Sequence, residues 1–299
     1  MSILSLKSLF LSTLIINIGL IHPGLTDDQF IFGGGYPDLG IFPHHAHLQI
    51  YHDSHLYVCA GSLIRYNWVL TAAQCVLRFD NIQVYLGLVN REEGPIQHIV
   101  AVDKADHVII HEDYNPPSVL SNDIAMIYLE NAKPEWLDHP YVGTVDLPQN
   151  INDNFVGQTA TATGFGVTSD DVGAEISMDL KYVDMPVITN EVCAQTFGNV
   201  ITESKLCTGT ATGSTCAGDE GSGLTVEIEG IRTIIGIGSF RAAIGCTLGH
   251  PAVFTRVTEF VDWINYNVQN PPNGPPTDDT CVCDCVCHTC PASGVKEEL

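Results

Sequence analysis

Three short blocks hold the side chains whose types bear on chemistry. Thr71-Ala-Ala-Gln74-Cys75 presents an amide, Ser121-Asn-Asp123-Ile-Ala a carboxylate, and Gly218-Asp219-Glu220-Gly-Ser222-Gly two more carboxylates. A Gln amide does not titrate near neutrality, so Gln74 cannot take up a proton as a general base. Glu220 is an anion at neutral pH unless desolvated, with an ordinary pKa of about 4.3. A carboxylate is also a poor nucleophile toward an amide. Asp123 and Glu220 could act as an acid and a base, as carboxyls about 5 to 9 Å apart do in glycoside hydrolysis. No other feature of the chain points to a sugar. Ser222, two positions beyond Glu220, reads as a small turn residue.

Two further clusters could hold metal. His44, His45 and His47 are followed by His52 and His55. On a strand, His45 and His47 share one face, while His52 and His55 flank an expected hairpin turn. Imidazoles so placed can bind zinc or copper. Near the C-terminus, Cys281, Cys283, Cys285 and Cys287 put four thiols on one side of an extended segment, with His288 and Cys290 following. That segment can form internal disulfides, crosslink to another chain, or bind a soft metal. An oxidising compartment favours the disulfides. No resident cofactor is expected.

The elements that must position these groups are short. His47 to Tyr51, Gln83 to Leu86, Asp123 to Leu129, Thr233 to Ile237 and Ala252 to Val257 are apolar or alternating segments broken by turn residues. Such a rhythm predicts an all-β sandwich or barrel. Val257 to Val268 departs from it, with Phe260, Val261, Ile264 and Val268 at helical spacing. The chain has 299 residues, 45% hydrophobic and 16% charged, which excludes wholesale disorder. Its 12 Lys+Arg against 35 Asp+Glu give a net charge of -23. A polyanion offers no general basic surface to nucleic acid or anionic membrane.

The first residues read as an address. Lys7 precedes an apolar run from Leu9 to Ile21, too short for a comfortable membrane span, and then the polar Thr26-Asp27-Asp28-Gln29. A signal peptide over about residues 1–25 is expected, then a short pro-segment at 26–30 and a secreted, extracellular chain without a membrane span. Pro271, Pro272, Pro275 and Pro276 end regular structure, so 271–299 form a separate tail.

The blocks quoted above occur in a familiar order. Ile31-Phe-Gly-Gly stands in front, then Cys59-Ala-Gly-Ser-Leu-Ile, Trp68-Val-Leu-Thr-Ala-Ala-Gln74-Cys75, Ser121-Asn-Asp123, Cys216-Ala-Gly-Asp-Glu220-Gly and Pro251-Ala-Val-Phe-Thr-Arg-Val. In this order they resemble the chymotrypsin-like serine proteases, in particular the insect chymotrypsin and brachyurin branch, over 31–270. The resemblance implies two packed six-stranded antiparallel β-barrels with a C-terminal helix. It also implies disulfides Cys59–Cys75, Cys193–Cys207 and Cys216–Cys246.

It further implies where chemistry would lie, and there the chain departs from the pattern. The family uses Ser, His and Asp together. Here the His position is Gln74 and the Ser position is Glu220, with only Asp123 retained. Gly218 and Glu220 stand at the former oxyanion hole. Ser214 stands at the floor of the specificity pocket, with Ser239, Arg241 and Ala252 on its walls. Arg241 replaces a Gly that keeps the pocket mouth open. It would obstruct the mouth, recruit an acidic ligand, or fold outward. Asp219 matches the buried Asp that pairs with a new amino terminus, which would be Ile31. The preceding residue is Phe30, so either a chymotrypsin-like enzyme cuts there or the chain stays uncut and Asp219 finds another partner.

Losing one triad member costs roughly four to six orders of magnitude in turnover. With two replaced, the expectation is a secreted serine protease homologue without protease activity that works by binding. Its partners would be other secreted proteins: a protease, an inhibitor or a structural component. The alternative is an extracellular hydrolase of the same family with residual or altered activity. Gln74 is expected to lie between Asp123 and Glu220 and bridge both carboxylates, with Glu220 turned toward the Gly218 N–H.

Overall fold

The computed structural model describes residues 34–92, 99–103, 105–115, 120–210 and 212–272. The expected signal peptide, the pro-segment, Ile31 and the Cys281–Cys290 tail lie outside them.

The first half is a sheet built from β1 (His45–His52), β2 (His55–Arg65), β3 (Trp68–Thr71), β4 (Asn81–Leu86), β5 (Ile99–Val102), β6 (Val108–Ile110) and β7 (Ala125–Tyr128). Its strand order is β5-β4-β1-β2-β3-β7-β6, all antiparallel. In β4 the alternation is direct: Ile82, Val84 and Leu86 are buried while Asn81, Gln83 and Tyr85 are half-buried. The expected closed six-stranded barrel is here an open seven-stranded half-barrel. The physical reason is a break: a 3₁₀ turn at Ala105–His107 splits what would be one strand into β5 and β6, each pairing with a single neighbour at opposite edges.

The second half is a closed barrel of β8 (Thr159–Gly164), β9 (Lys181–Ile188), β10 (Lys205–Thr208), β11 (Gly223–Ile228), β12 (Ile231–Phe240) and β13 (Ala252–Arg256). Closure leaves no unpaired edge. Val183, Met185 and Val187 alternate inward on β9 against Leu206, Leu224, Ile235 and Phe254. Among the described residues, the helices α1 (Ala73–Val76) and α2 (Asn190–Phe197) lie between strands, and α3 (Val261–Gln269) follows the last one. The segment with helical spacing begins as a 3₁₀ turn at Val257–Phe260 and continues as α3, whose Ile264 is fully buried. Val257, Phe260 and Ile264 join the core of the first sheet together with Ile234 and Ile237 of β12, so one apolar cluster ties the two halves together.

Disulfides join Cys59 to Cys75, Cys193 to Cys207 and Cys216 to Cys246. The first fixes α1 to β2, and the third ties the turn before β11 to the segment after β12. Each cross-link of this loop size contributes about 2 to 4 kcal/mol.

Candidate active site

Gln74 sits in α1, Asp123 just before β7, and Glu220 in the tight turn before β11. Gly221 carries φ +83°, and a Cβ there would come 2.2 Å from the Ala60 carbonyl oxygen. Only glycine lets the turn pack this closely on β2. Ala60 N in return donates to the Glu220 carbonyl at 2.8 Å.

Asp123 is fully buried and well satisfied. Its Oδ1 accepts the Gln74 backbone N–H at 2.9 Å, and its Oδ2 accepts the Gln74 side-chain amide at 2.7 Å and the Ser239 hydroxyl at 2.6 Å. Burial raises its pKa above the ordinary carboxylate value, while the bonds from Ser239 and Gln74 and the charge of Lys205 pull it back. Gln74 Nε2 also donates to the Ser239 carbonyl. An amide nitrogen has two hydrogens, and both are taken.

The expected bridge from Gln74 to Glu220 is therefore not formed. Glu220 has its own partners. Its Oε1 lies 2.7 Å from Arg241 Nη1, and its Oε2 accepts the Gly218 N–H at 2.7 Å. A guanidinium paired with a carboxylate makes a charge-assisted bond roughly twice as strong as one from a neutral amide. Arg241 wins Glu220, and Gln74 is left to Asp123. The turn toward Gly218 has the form expected. Arg241 does not fold outward; it closes over the Glu220 carboxylate.

Little space is left directly behind this pair. Ser214, Ser239 and Ala252 are all buried, and Ser214 Oγ donates to the Thr215 carbonyl at 3.1 Å. The cavity among Cys216, Glu220, Ser239, Phe240 and Arg241 holds about 10 Å³, space for roughly one water. Larger clefts flank it. One of about 490 Å³ lies between the 167–174 and 241–245 segments, beside Arg241. The other, of about 420 Å³, lies over the Cys59–Cys75 disulfide and is lined by His52, Tyr57, Leu77, Arg78, Gln74 and Glu220.

Asp219 is fully buried, and its pKa is raised by burial to about 7. Its carboxylate accepts the backbone N–H groups of Gly166 at 2.8 Å and Cys216 at 2.9 Å. Gly164 and Gly166 are packed so tightly on it that a Cβ at either would fall within 2.5 Å of the carboxylate.

The two histidines named as metal ligands do share a face of β1, but both are core groups. His45 Nδ1 pairs with Thr163 Oγ1 at 3.0 Å, and both rings pack on Phe165. Burial drives the pKa of His47 down to about 4 and that of His45 well below its ordinary value. Neither belongs to a group of three potential ligands among the described residues. β1 buries both imidazoles against Thr163 and Phe165 of the second half, a face the sequence alone leaves undecided.

Lys205 was not singled out by the sequence. It is buried on β10, its Nζ donates to the Leu120 carbonyl at 2.5 Å, and it lies 5.7 Å from the centre of the Phe240 ring. Burial lowers its pKa to about 8, against the opposing pull of Asp123. The signal available was a Lys in an otherwise apolar strand, Lys205-Leu-Cys-Thr.

Comparison with known proteins agrees with this architecture. A family model described as Trypsin matches residues 31–264. The brachyurin of Leptuca pugilator is 40% identical over 78% of this chain and 96% of its own length. The collagenase of Hypoderma lineatum is 35% identical over 76% of this chain and 83% of its own. A solved structure titled HL collagenase at 1.7 Å superposes with a TM-score of 0.68 and 32% identity, covering 78% of this chain and 96% of that one. With the β architecture and the three disulfides as the resemblance implied, the chain belongs to the trypsin family of chymotrypsin-like serine proteases.

Proposed function

We propose that this member is secreted and non-catalytic, and acts by binding another extracellular protein. The observation that carries the reading is the Glu220–Arg241 pair. At the position of the nucleophile stands an anion, bonded to a cation and to the Gly218 N–H that would otherwise stabilise a developing oxyanion. Gln74 brings no titrating nitrogen to Asp123, and the specificity pocket has room for about one water. What remains open is the surface: two clefts of about 490 and 420 Å³ on either side of the pair. Three disulfides fit an oxidising compartment. No helix among the described residues is long and apolar enough to cross a membrane.

The net charge of -23 favours a cationic partner and makes the encounter salt-dependent. Affinity capture from the secreting tissue's fluid tests the reading, with the tagged chain beside an active brachyurin-type relative. Retention of one discrete protein by this chain is expected. An empty capture, together with peptide turnover by the same preparation, would contradict it.

A further inference from the structure

The tip of the β1–β2 hairpin carries a second cluster that the trypsin-like site does not use. Asp53 and Ser54 have φ of 48° and 65°, the left-handed pair that a two-residue hairpin turn requires. The turn sets His52 directly opposite His55. Asp80, just ahead of β4, is held against the turn because the Asp53 N–H donates to its Oδ2 at 2.9 Å. Two segments far apart in sequence thus bring an imidazole and two carboxylates together.

One donor atom each from His52, Asp53 and Asp80 can be chosen so that all lie within 4.8 Å of one another. His52 Nε2 is 3.4 Å from Asp53 Oδ2, and His52 Nδ1 is 3.8 Å from Asp80 Oδ1. Nδ1 is buried and makes no hydrogen bond. Donors bound at about 2.0–2.2 Å around a tetrahedral ion stand roughly 3.3–3.6 Å apart. One ion takes one ring nitrogen only, so one carboxylate stands near this spacing and the other must close in from within 4.8 Å. The Asp53 and Asp80 side chains are 83% and 65% exposed, so both are free to make the remaining adjustment.

We propose that His52, Asp53 and Asp80 form a zinc site, with water in the fourth position. The mixed nitrogen and oxygen donor set suits Zn²⁺. Ca²⁺ takes six to eight oxygens, more than this cluster supplies. A bound ion staples the hairpin tip to the start of β4. It does so at the wall of the 420 Å³ cleft, which His52 lines together with Gln74 and Glu220. The assignment does not depend on whether the chain is catalytic.

The test is calorimetric titration of the full chain with zinc chloride. Free thiols are first alkylated with iodoacetamide, without reduction, so that the Cys-rich tail does not contribute. One equivalent is expected to bind. Asp80→Asn and His52→Gln should each weaken it at least about tenfold, since loss of an outer-shell contact alone costs that much. Both variants should melt like the unaltered chain in EDTA. A second readout needs no variant: Co²⁺ should shift the His52 ring-proton signals in the NMR spectrum. Absence of zinc binding, equal affinity in both variants, or unshifted His52 signals would each overturn the proposal.

Discussion

Arg241 Nη1 stands 2.7 Å from Glu220 Oε1, while the other oxygen of the same carboxylate accepts the Gly218 N–H at 2.7 Å. The two residues form an ion pair over the turn before β11. Neither stands alone. A lone Glu at the turn would leave a carboxylate against a former oxyanion hole, and a lone Arg would leave a cation over a closed pocket.

The pair should therefore show measurable coupling. Both side chains are about three-quarters buried, at 22% and 26% exposure. Glu220→Ala and Arg241→Ala are each expected to lower stability by about 1 kcal/mol, and the double variant by less than the sum. Urea denaturation of the four proteins measures this. Strict additivity would mean that the contact contributes nothing.

Restoring the triad should not restore the enzyme. Gln74→His with Glu220→Ser supplies the missing groups but leaves Arg241 without its partner, over a pocket of about 10 Å³. Misplacement of substrate by about an ångström alone costs on the order of a hundredfold. The double variant is expected to stay at least about a hundredfold below an active brachyurin-type relative in kcat/KM on chymotrypsin peptides. Adding Arg241→Gly should raise kcat/KM over the double variant. Turnover by the double variant close to that of the active relative would show that the supporting shell is intact.

Acid should destabilise the fold through buried histidines. Burial, helped by Arg232 and Arg91 respectively, holds the pKa of His44 at about 3 and that of His47 at about 4, against 6.5 in the unfolded chain. A depressed pKa means that the unfolded state takes up protons first. The stability from His47 is complete above about pH 6.5 and is lost as pH falls toward 4, an amount of about 3 kcal/mol. Asp219 works in the opposite sense. Its contribution is complete below the ordinary carboxylate range and is lost as pH rises through about 7. Comparing the unaltered chain with His47→Phe separates the two, because Asp219 is common to both. The variant should lose about 3 kcal/mol less between pH 7 and pH 4, and an identical slope would refute the assignment.

The tail yields a prediction from arithmetic. Three disulfides use six of the 11 cysteines, leaving five between Cys281 and Cys290. An odd number cannot pair completely within one chain. Non-reducing electrophoresis should show a disulfide-linked dimer or mixed species for the full chain, and a monomer for a chain ending at Asn270. Two monomers, with no small-thiol or metal adduct on the longer form, would exclude crosslinking.

Much of this was legible in the residues, because motif blocks name positions. The blocks around Cys59, Gln74, Asp123 and Cys216 indicated the fold and the three site positions. They could not rank partners. Gln74 was expected to link two carboxylates, but Arg241, 21 residues beyond Glu220, offers a stronger bond than an amide. The same limit applies to His45 and His47, whose alternation on β1 is equally consistent with a wet or a dry face. Only the packing of Thr163 and Phe165 from the other half decides it. The break between β5 and β6 likewise follows from a short 3₁₀ turn that the spacing of apolar residues does not mark.

Labelling with a fluorophosphonate reports an activated serine whatever the substrate. It is applied to the intact chain and to the chain cleaved after Phe30, each followed by a peptide-library turnover assay. No labelled serine and no turnover above background are expected in either form. A stoichiometric adduct on any serine, Ser222 included, would contradict the non-catalytic reading.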